Sequence, residues 1–382
     1  MFEPGAHALR DPKALGDGVS DGLEPLQSLD IGTIGDADEL LAAMSRTAFN
    51  GRRLGEAAEV LAEMVTDPEC SVILTLSGAM TVAKMGLIIT AMIERGWVQA
   101  VVSTGALMTH GLVELAGMPH FKARDNLRDE ELFQKGYNRV YDTYELESSL
   151  NTVGFMLKKA FATFEGRPFG SRELLERVGE MLTPLGRRGV LVAARNAGVP
   201  IYIPALTDSE MGLNLAAYFL ERRLQEVDLD QALAELGTPY DPYRDLAHLT
   251  RFVLKSPRIG IFTIGGGVPR NWAQQVSPFV DYVNRAANLD AKMNRIHYGV
   301  RICPEPVHWG GLSGCTYSEG VSWGKFVPTS EGGRFAEVLA DATLAWPLLV
   351  QGVAQRLEKS GREAASPALD LEGCRPAAAT SP

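Results

Sequence analysis

The most distinctive chemistry in this chain lies in Gly310–Val327, which reads GGLSGCTYSEGVSWGKFV. Within it, Gly320-Val321-Ser322-Trp323-Gly324 has the GxSxG form of a serine-hydrolase nucleophile elbow. Such an elbow needs an apolar strand before it and a helix after it. Here Cys315–Glu319 precedes, Phe326-Val327-Pro328 follows, and no histidine comes after His308 to complete a triad. Hydrolysis through Ser322 is therefore set aside. Lys325 offers different chemistry. It is one of 10 lysines in a chain with 27 arginines, and arginine cannot serve where an amine must lose its proton and attack carbon. Between Gly324 and Phe326, and two residues from Trp323, the lysine can sit in a dry pocket. Desolvation there lowers its pKa and frees the amine for Schiff-base chemistry. The Trp323 indole can hold a cation against its face, and Glu319 can anchor an ammonium. The plain alternative is a surface lysine near a buried tryptophan, and spacing alone favours it.

A second set of residues follows short apolar runs. Leu76-Ser77-Gly78, Ser103-Thr104-Gly105, Pro204-Ala205-Leu206-Thr207-Asp208 and Gly265-Gly266-Gly267 each stand where a strand gives way to a turn. Glycine lets backbone approach a phosphate, a helix N-terminus favours the anion, and an aspartate can accept from ribose hydroxyls. Together they suggest a dinucleotide, although none forms the GxGxxG fingerprint and a triple glycine is often only a tight turn. No metal is expected. Cys70, Cys303, Cys315 and Cys374 form no CxxC pair, and His110 and His120, separated by a Gly-Met-Pro turn, read as ordinary polar positions.

These residues need elements to position them. Ser71–Leu76, Val98–Ser103, Val199–Ile203 and Arg258–Ile264 read as strands, with a short strand at Glu337–Ala340; helices are expected over Thr81–Arg95 and from about Ala342. Strands separated by helices imply parallel pairing, because parallel neighbours need a long crossover. The expected fold class is α/β: a Rossmann-like twisted, mostly parallel sheet with helices on both faces. Hydrophobic residues at 46% and charged residues at 22% exclude a disordered or fibrous chain. A net charge of −10 argues against nucleic acid and favours cationic small molecules. No apolar run approaches a membrane span, and the start lacks a signal-peptide core, so a cytoplasmic location is expected. Residues 1–30 and 360–382 read as a flexible leading segment and a disordered tail around one domain over 31–359.

At this point several ordered motifs converge. Glu319-Gly320-Val321-Ser322-Trp323-Gly324-Lys325 resembles the lysine motif of deoxyhypusine synthase and its homospermidine-synthase relatives. The resemblance extends through Ser103-Thr104-Gly105, Pro204–Asp208, Ile264–Val268, Ala340–Thr343 and Pro347-Leu348-Leu349, and so spans roughly residues 40–355. It implies an NAD-binding catalytic domain and a homotetramer with active sites at dimer interfaces. It also implies aminobutyl transfer from a polyamine such as spermidine through a lysine imine. By matching motifs, Lys325 would be the nucleophile, Trp323 the wall of the polyamine channel and Glu319 an amine anchor. Gly78, Thr104, Gly105, Asp208, Gly266, Gly267 and Asp341 would contact NAD.

The departures redirect the substrate reading. Where the family's eukaryotic enzymes carry two amine-binding carboxylates, this chain has Leu213 and Leu312, and Asn271 stands at the position of a substrate-contacting histidine. Charge-assisted contacts are worth roughly 1.5–3 kcal/mol each, so two missing anchors are not neutral. Glu210, His110 or Glu305 are the candidates to compensate. The GGLSGCTYSEGVSWGKF form resembles the bacterial branch, for which a small-molecule polyamine product, homospermidine or a relative, is expected ahead of a protein-lysine acceptor. An NAD-binding homologue without transferase activity is the alternative of another class.

Overall fold

Cys70–Leu76 (β1) is buried at all seven positions, as a strand covered on both faces must be. The remaining strands in chain order are Ala100–Ser103 (β2), Phe121–Lys122 (β3), Tyr137–Val140 (β4), Thr143–Leu146 (β5), Ile201–Tyr202 (β6), Arg258–Ile264 (β7), Ile296–Ile302 (β8) and Arg334–Val338 (β9). The computed structural model describes residues 10, 15–124 and 127–371. Six strands form one sheet in the order β6-β2-β1-β7-β8-β9, and every pairing within it is parallel. The chain builds outward from β1 to β2 and β6, then returns to place β7 on the other side of β1. That is the strand order of a doubly wound dinucleotide-binding sheet, with its reversal between β1 and β7.

Alternation along the strands fills two cores. Val72, Leu74, Leu76, Val101, Phe262 and Ile264 enter one, with helices Phe49–Thr66 and Ala342–Ser360. Ile73, Ala100, Val102, Ile259 and Ile261 enter the other, with helices Pro242–Lys255, Gly267–Gln274 and Val276–Ala287. Successive side chains of a strand point to opposite faces, so one continuous apolar run supplies both cores. Buried Asp245 ties β6 into this frame. It accepts from Ser171 N and Oγ, both at 2.7 Å, and Ser171 Oγ in turn accepts from Ile203 N at 2.7 Å.

Several expected boundaries move. The helix expected over Thr81–Arg95 begins only at Gly86, because Lys84 adopts a left-handed φ of 65° and the Thr81 hydroxyl donates to Leu107 O at 2.7 Å. The strand expected at Glu337–Ala340 lies at Arg334–Val338, paired along β8. β8 itself and the small antiparallel sheet β3-β5-β4 are additions to the sequence reading. Residues 15–30 are mostly exposed, with Gln27 N donating to Arg46 O. Residues 361–371, expected as part of a disordered tail, cross the body instead. Ala365 N donates to Val65 O, Lys255 donates to Asp370 O, and Leu371 is buried in the second core. Residues 372–382 lie outside the described residues.

Candidate active site

The carboxyl ends of β1 and β7 meet at the switch point. Ser77 N donates to Ile264 O at 3.1 Å, and Ser77 Oγ accepts from Gly266 N at 2.8 Å. Gly78, Gly265 and Gly267 have φ of 77°, 76° and 62°, the left-handed region that glycine enters without strain. The helix Gly267–Gln274 starts here with no side chain capping its first turn, leaving N–H groups that a phosphate can take. The neighbouring helix Gly105–Leu115 is different, since Thr104 Oγ1 already accepts from Leu107 N at 3.3 Å. Gly105 serves packing: a Cβ there would collide with Ser209 on the loop carrying Asp208. The residues at the switch point thus fit a dinucleotide pyrophosphate.

Asp208 is exposed on the loop leaving β6, and Asp341 is exposed beyond β9, its Oδ1 accepting from Thr343 N at 2.8 Å as a helix cap. Those strands are the two edges of the sheet. At ~4.8 Å per strand the two edge strands lie roughly 24 Å apart, so the two carboxylates leave the sheet from opposite sides.

Lys325 is set by a short, well-determined segment. Thr316 caps the helix Tyr317–Ser322 by accepting from Glu319 N at 3.0 Å. The chain leaves through Gly324 at φ 69°, and Lys325 O then accepts from Ile296 N at 2.9 Å, at the start of β8. Gly320 permits this return, because a Cβ there would lie 2.5 Å from the Phe326 ring. The Ser322 hydroxyl donates to Glu319 O at 2.7 Å on the exposed surface, so the GxSxG match presents no elbow.

The lysine is only 8% exposed, and its Nζ donates to Asn271 Oδ1 at 2.9 Å. Asn271 lies four residues, about one helical turn (~6 Å), along the helix from Gly267. The amine is also 5.9 Å from the centroid of Trp323, whose ring is 66% exposed. Behind it lie two buried arginines. Arg301 pairs with Glu337 and donates to Ser313 O at 2.6 Å and Cys315 O at 2.7 Å. Arg270 is 2% exposed, and its Nε and Nη2 have no hydrogen-bond partner. Its Nη1 lies 3.5 and 3.4 Å from Leu312 O and Ser313 O. Two guanidiniums with one carboxylate between them leave uncompensated positive charge beneath the lysine.

That arrangement sets the protonation of the amine. Burial lowers the Lys325 pKa, and the Arg270 charge pushes the same way, outweighing the opposing pull of Cys315 and exposed Glu319. Once deprotonated, the amine can still donate one N–H to Asn271 and keep its lone pair for carbon. Asn271 holds the group without recharging it, which a carboxylate would do.

The structure brings Lys325, Trp323 and Asn271 together with Glu319 nearby, and places Gly78, Gly266 and Gly267 together at the switch point. Gly266 joins them, since a Cβ there would lie 2.6 Å from Ser313 Cα on the loop leading to the lysine helix. Arg270, Arg301 and Glu337 carry no signal in the sequence as site residues. Arg270 follows a proline and precedes Asn271, and no periodicity marks a buried arginine. His110 and His120, expected as ordinary polar positions, converge on buried Glu145 of β5.

A doubly wound sheet of the dinucleotide-binding order, with a nearly buried lysine of lowered pKa beside its switch point, is a setting suited to nucleotide-assisted amine chemistry. The deoxyhypusine synthase family model matches residues 39–353, and this chain belongs to that family, whose members are NAD-dependent aminobutyl transferases. It is 34% identical over 310 residues to the Archaeoglobus fulgidus protein named probable deoxyhypusine synthase 2, covering 81% of this chain and 95% of the relative. It is 31% identical over 345 residues to a deoxyhypusine synthase-like protein of Chlorobaculum tepidum, covering 89% and 92%. An Entamoeba histolytica structure assigned as a deoxyhypusine synthase superposes with a TM-score of 0.53 at 16% identity, over 86% of this chain and 96% of that one, a likeness of fold. Among the described residues, no helix is long and apolar enough to cross a membrane.

Proposed function

We propose that this protein transfers an aminobutyl group between amines through an imine on Lys325, with a small polyamine as acceptor and homospermidine or a close relative as product. Bound NAD would supply the redox chemistry, taking hydride from the carbon beside the donor's secondary nitrogen and returning it after transfer. The Lys325 amine attacks the resulting carbon–nitrogen double bond, the diamine portion departs with the proton it needs, and a butylimine remains on the protein. An acceptor amine then attacks that imine and restores the free lysine. Trp323 and Glu319 flank the amine on the exposed side, where a cationic chain meets an indole face and a carboxylate.

The observation that carries this reading is Lys325, 8% exposed, its amine held by a neutral amide and backed by the incompletely hydrogen-bonded guanidinium of Arg270. A small acceptor is supported by Leu312 and Leu213, which are 49% and 64% exposed where the family's eukaryotic members carry amine-binding carboxylates. Exposed Trp309 and Leu312, on the segment leading to the lysine helix, and exposed Trp323 beside the amine also support an oligomer in which a second subunit closes the site. The names of the relatives favour the second reading, a protein-lysine acceptor. Incubation with spermidine, NAD and putrescine, followed by mass spectrometry, separates the two. Homospermidine together with 1,3-diaminopropane supports the small acceptor, whereas product formed only on a lysine-bearing translation factor overturns it.

A further inference from the structure

His110, offered by the sequence as a compensating amine anchor, is instead drawn against Glu145 in a cluster that joins the small antiparallel sheet to the helix Gly105–Leu115. Glu145 of β5 is 1% exposed, with one imidazole against each carboxylate oxygen. His110 Nδ1 lies 2.7 Å from Oε2, and His120 Nε2 lies 2.9 Å from Oε1. The three donors come from three different elements: a helix, the loop before β3, and β5.

Two features distinguish this arrangement from a satisfied hydrogen-bond pair. First, His110 Nδ1 and Glu145 Oε2 approach to 2.7 Å, yet neither has a hydrogen-bond partner of acceptable geometry. Both atoms are ones that can ligate a cation. Second, Glu210 Oε2 is buried without a partner, and it lies close enough to act on His110. Glu145 and Glu210 thus bring two carboxylates to His110.

We infer that His110, His120 and Glu145 form a binding site for a divalent first-row transition metal, zinc by preference, with a fourth position left for water. The donor atoms all lie within 4.8 Å of one another. A tetrahedral zinc with bonds of ~2.1 Å spaces its ligands about 3.4 Å apart, so modest side-chain rotations seat the ion. Each imidazole must present a lone pair inward and carry its proton on the outer nitrogen. For His120 that nitrogen is Nδ1, which now accepts from Lys84 Nζ at 2.9 Å. Lys84 also lies 3.5 Å from Glu114, and metal binding moves it fully onto that carboxylate. The ion would fasten β3-β5-β4 to the helix that begins at the Thr104-Gly105 turn, and so stiffen one side of the cofactor edge. The inference stands independently of the reading of Lys325.

The test uses the full chain, freed of metal with chelator and titrated with Co²⁺ and Zn²⁺ by calorimetry and visible absorption. One equivalent per chain and tetrahedral Co²⁺ bands are expected. Affinity should fall about 100-fold in His120→Ala and Glu145→Gln. His110→Asn and His120→Asn, which retain a hydrogen-bond donor toward Glu145, guard against misfolding and should lose the bands while keeping a native far-UV spectrum. Failure of the wild-type chain to bind either ion stoichiometrically overturns the proposal. So does binding that survives in all folded variants.

Discussion

Asn271 is the residue through which the account of Lys325 can be tested quantitatively. Its Oδ1 sits 2.9 Å from the amine and carries no charge. Asn271→Asp keeps the shape and places an anion at that distance. At an effective dielectric of ~20, unit charges ~4 Å apart attract by about 4 kcal/mol, and the cost of burying the new carboxylate cancels part of this. A charge-assisted hydrogen bond exceeds a neutral one by about 1–2 kcal/mol. At ~1.36 kcal/mol per pKa unit, the Lys325 pKa should rise by about 1–2 units. The neutral fraction at pH 7 then drops by about 10–100-fold, and the rate of imine formation drops with it. The assay is the pH dependence of reductive trapping with an amine donor and NAD. The limb set by the lysine should move to higher pH by the same 1–2 units, and the variant should approach the wild-type rate in alkali. An unshifted profile, or a deficit that alkali does not relieve, would refute the idea that proton loss at Lys325 is what this pocket arranges.

Other outcomes follow from the same structure. Arg270→Met removes a buried, incompletely paired cation, so the trapping profile should again move to higher pH while thermal stability changes by less than about 2 kcal/mol, as measured by denaturant melts. Gly320→Ala drives a methyl into the Phe326 ring; unfolding titrations should show a loss of about 1–3 kcal/mol, and trapping should weaken because the same turn sets Lys325. Burial raises the Glu145 pKa, but the contacts with His110 and His120 outweigh it and hold the group at about 2, below its ordinary 4.5. A depressed folded-state pKa stabilises above the unfolded value and the benefit is lost on acidification. Hydrogen exchange in β3–β5 should therefore accelerate as pH falls from 4.5 toward 2, and Glu145→Gln should flatten that dependence.

What the sequence made legible was whatever repeats or breaks a local pattern. The runs at β1 and β7 are dominated by Val, Ile, Leu and Phe, so strands buried on both faces can be read directly, and the glycines after them mark the turns. β8 carries Gly299 and Arg301, which interrupt the run. Yet Gly299 is there because a Cβ would strike Tyr317 and Phe335, and Arg301 is there to hold the loop before the lysine helix. Both are tertiary demands with no local signature. The same holds for Lys325. Its motif was visible, but spacing alone favoured a surface position, and only packing against Phe326 and the helix bearing Asn271 makes it dry. His110 and His120 looked unrelated because Glu145, the residue that joins them, is 25 residues beyond His120 on a strand the sequence did not announce. Strand order was likewise out of reach, since nothing local tells β7 to return beside β1.

Borohydride trapping with spermidine and NAD, followed by peptide mass spectrometry, tests the central claim most directly. The account predicts an aminobutyl adduct on Lys325 that requires NAD and disappears in a folded Lys325→Arg protein. An adduct on another lysine, or none at Lys325 while NAD remains bound, would contradict it.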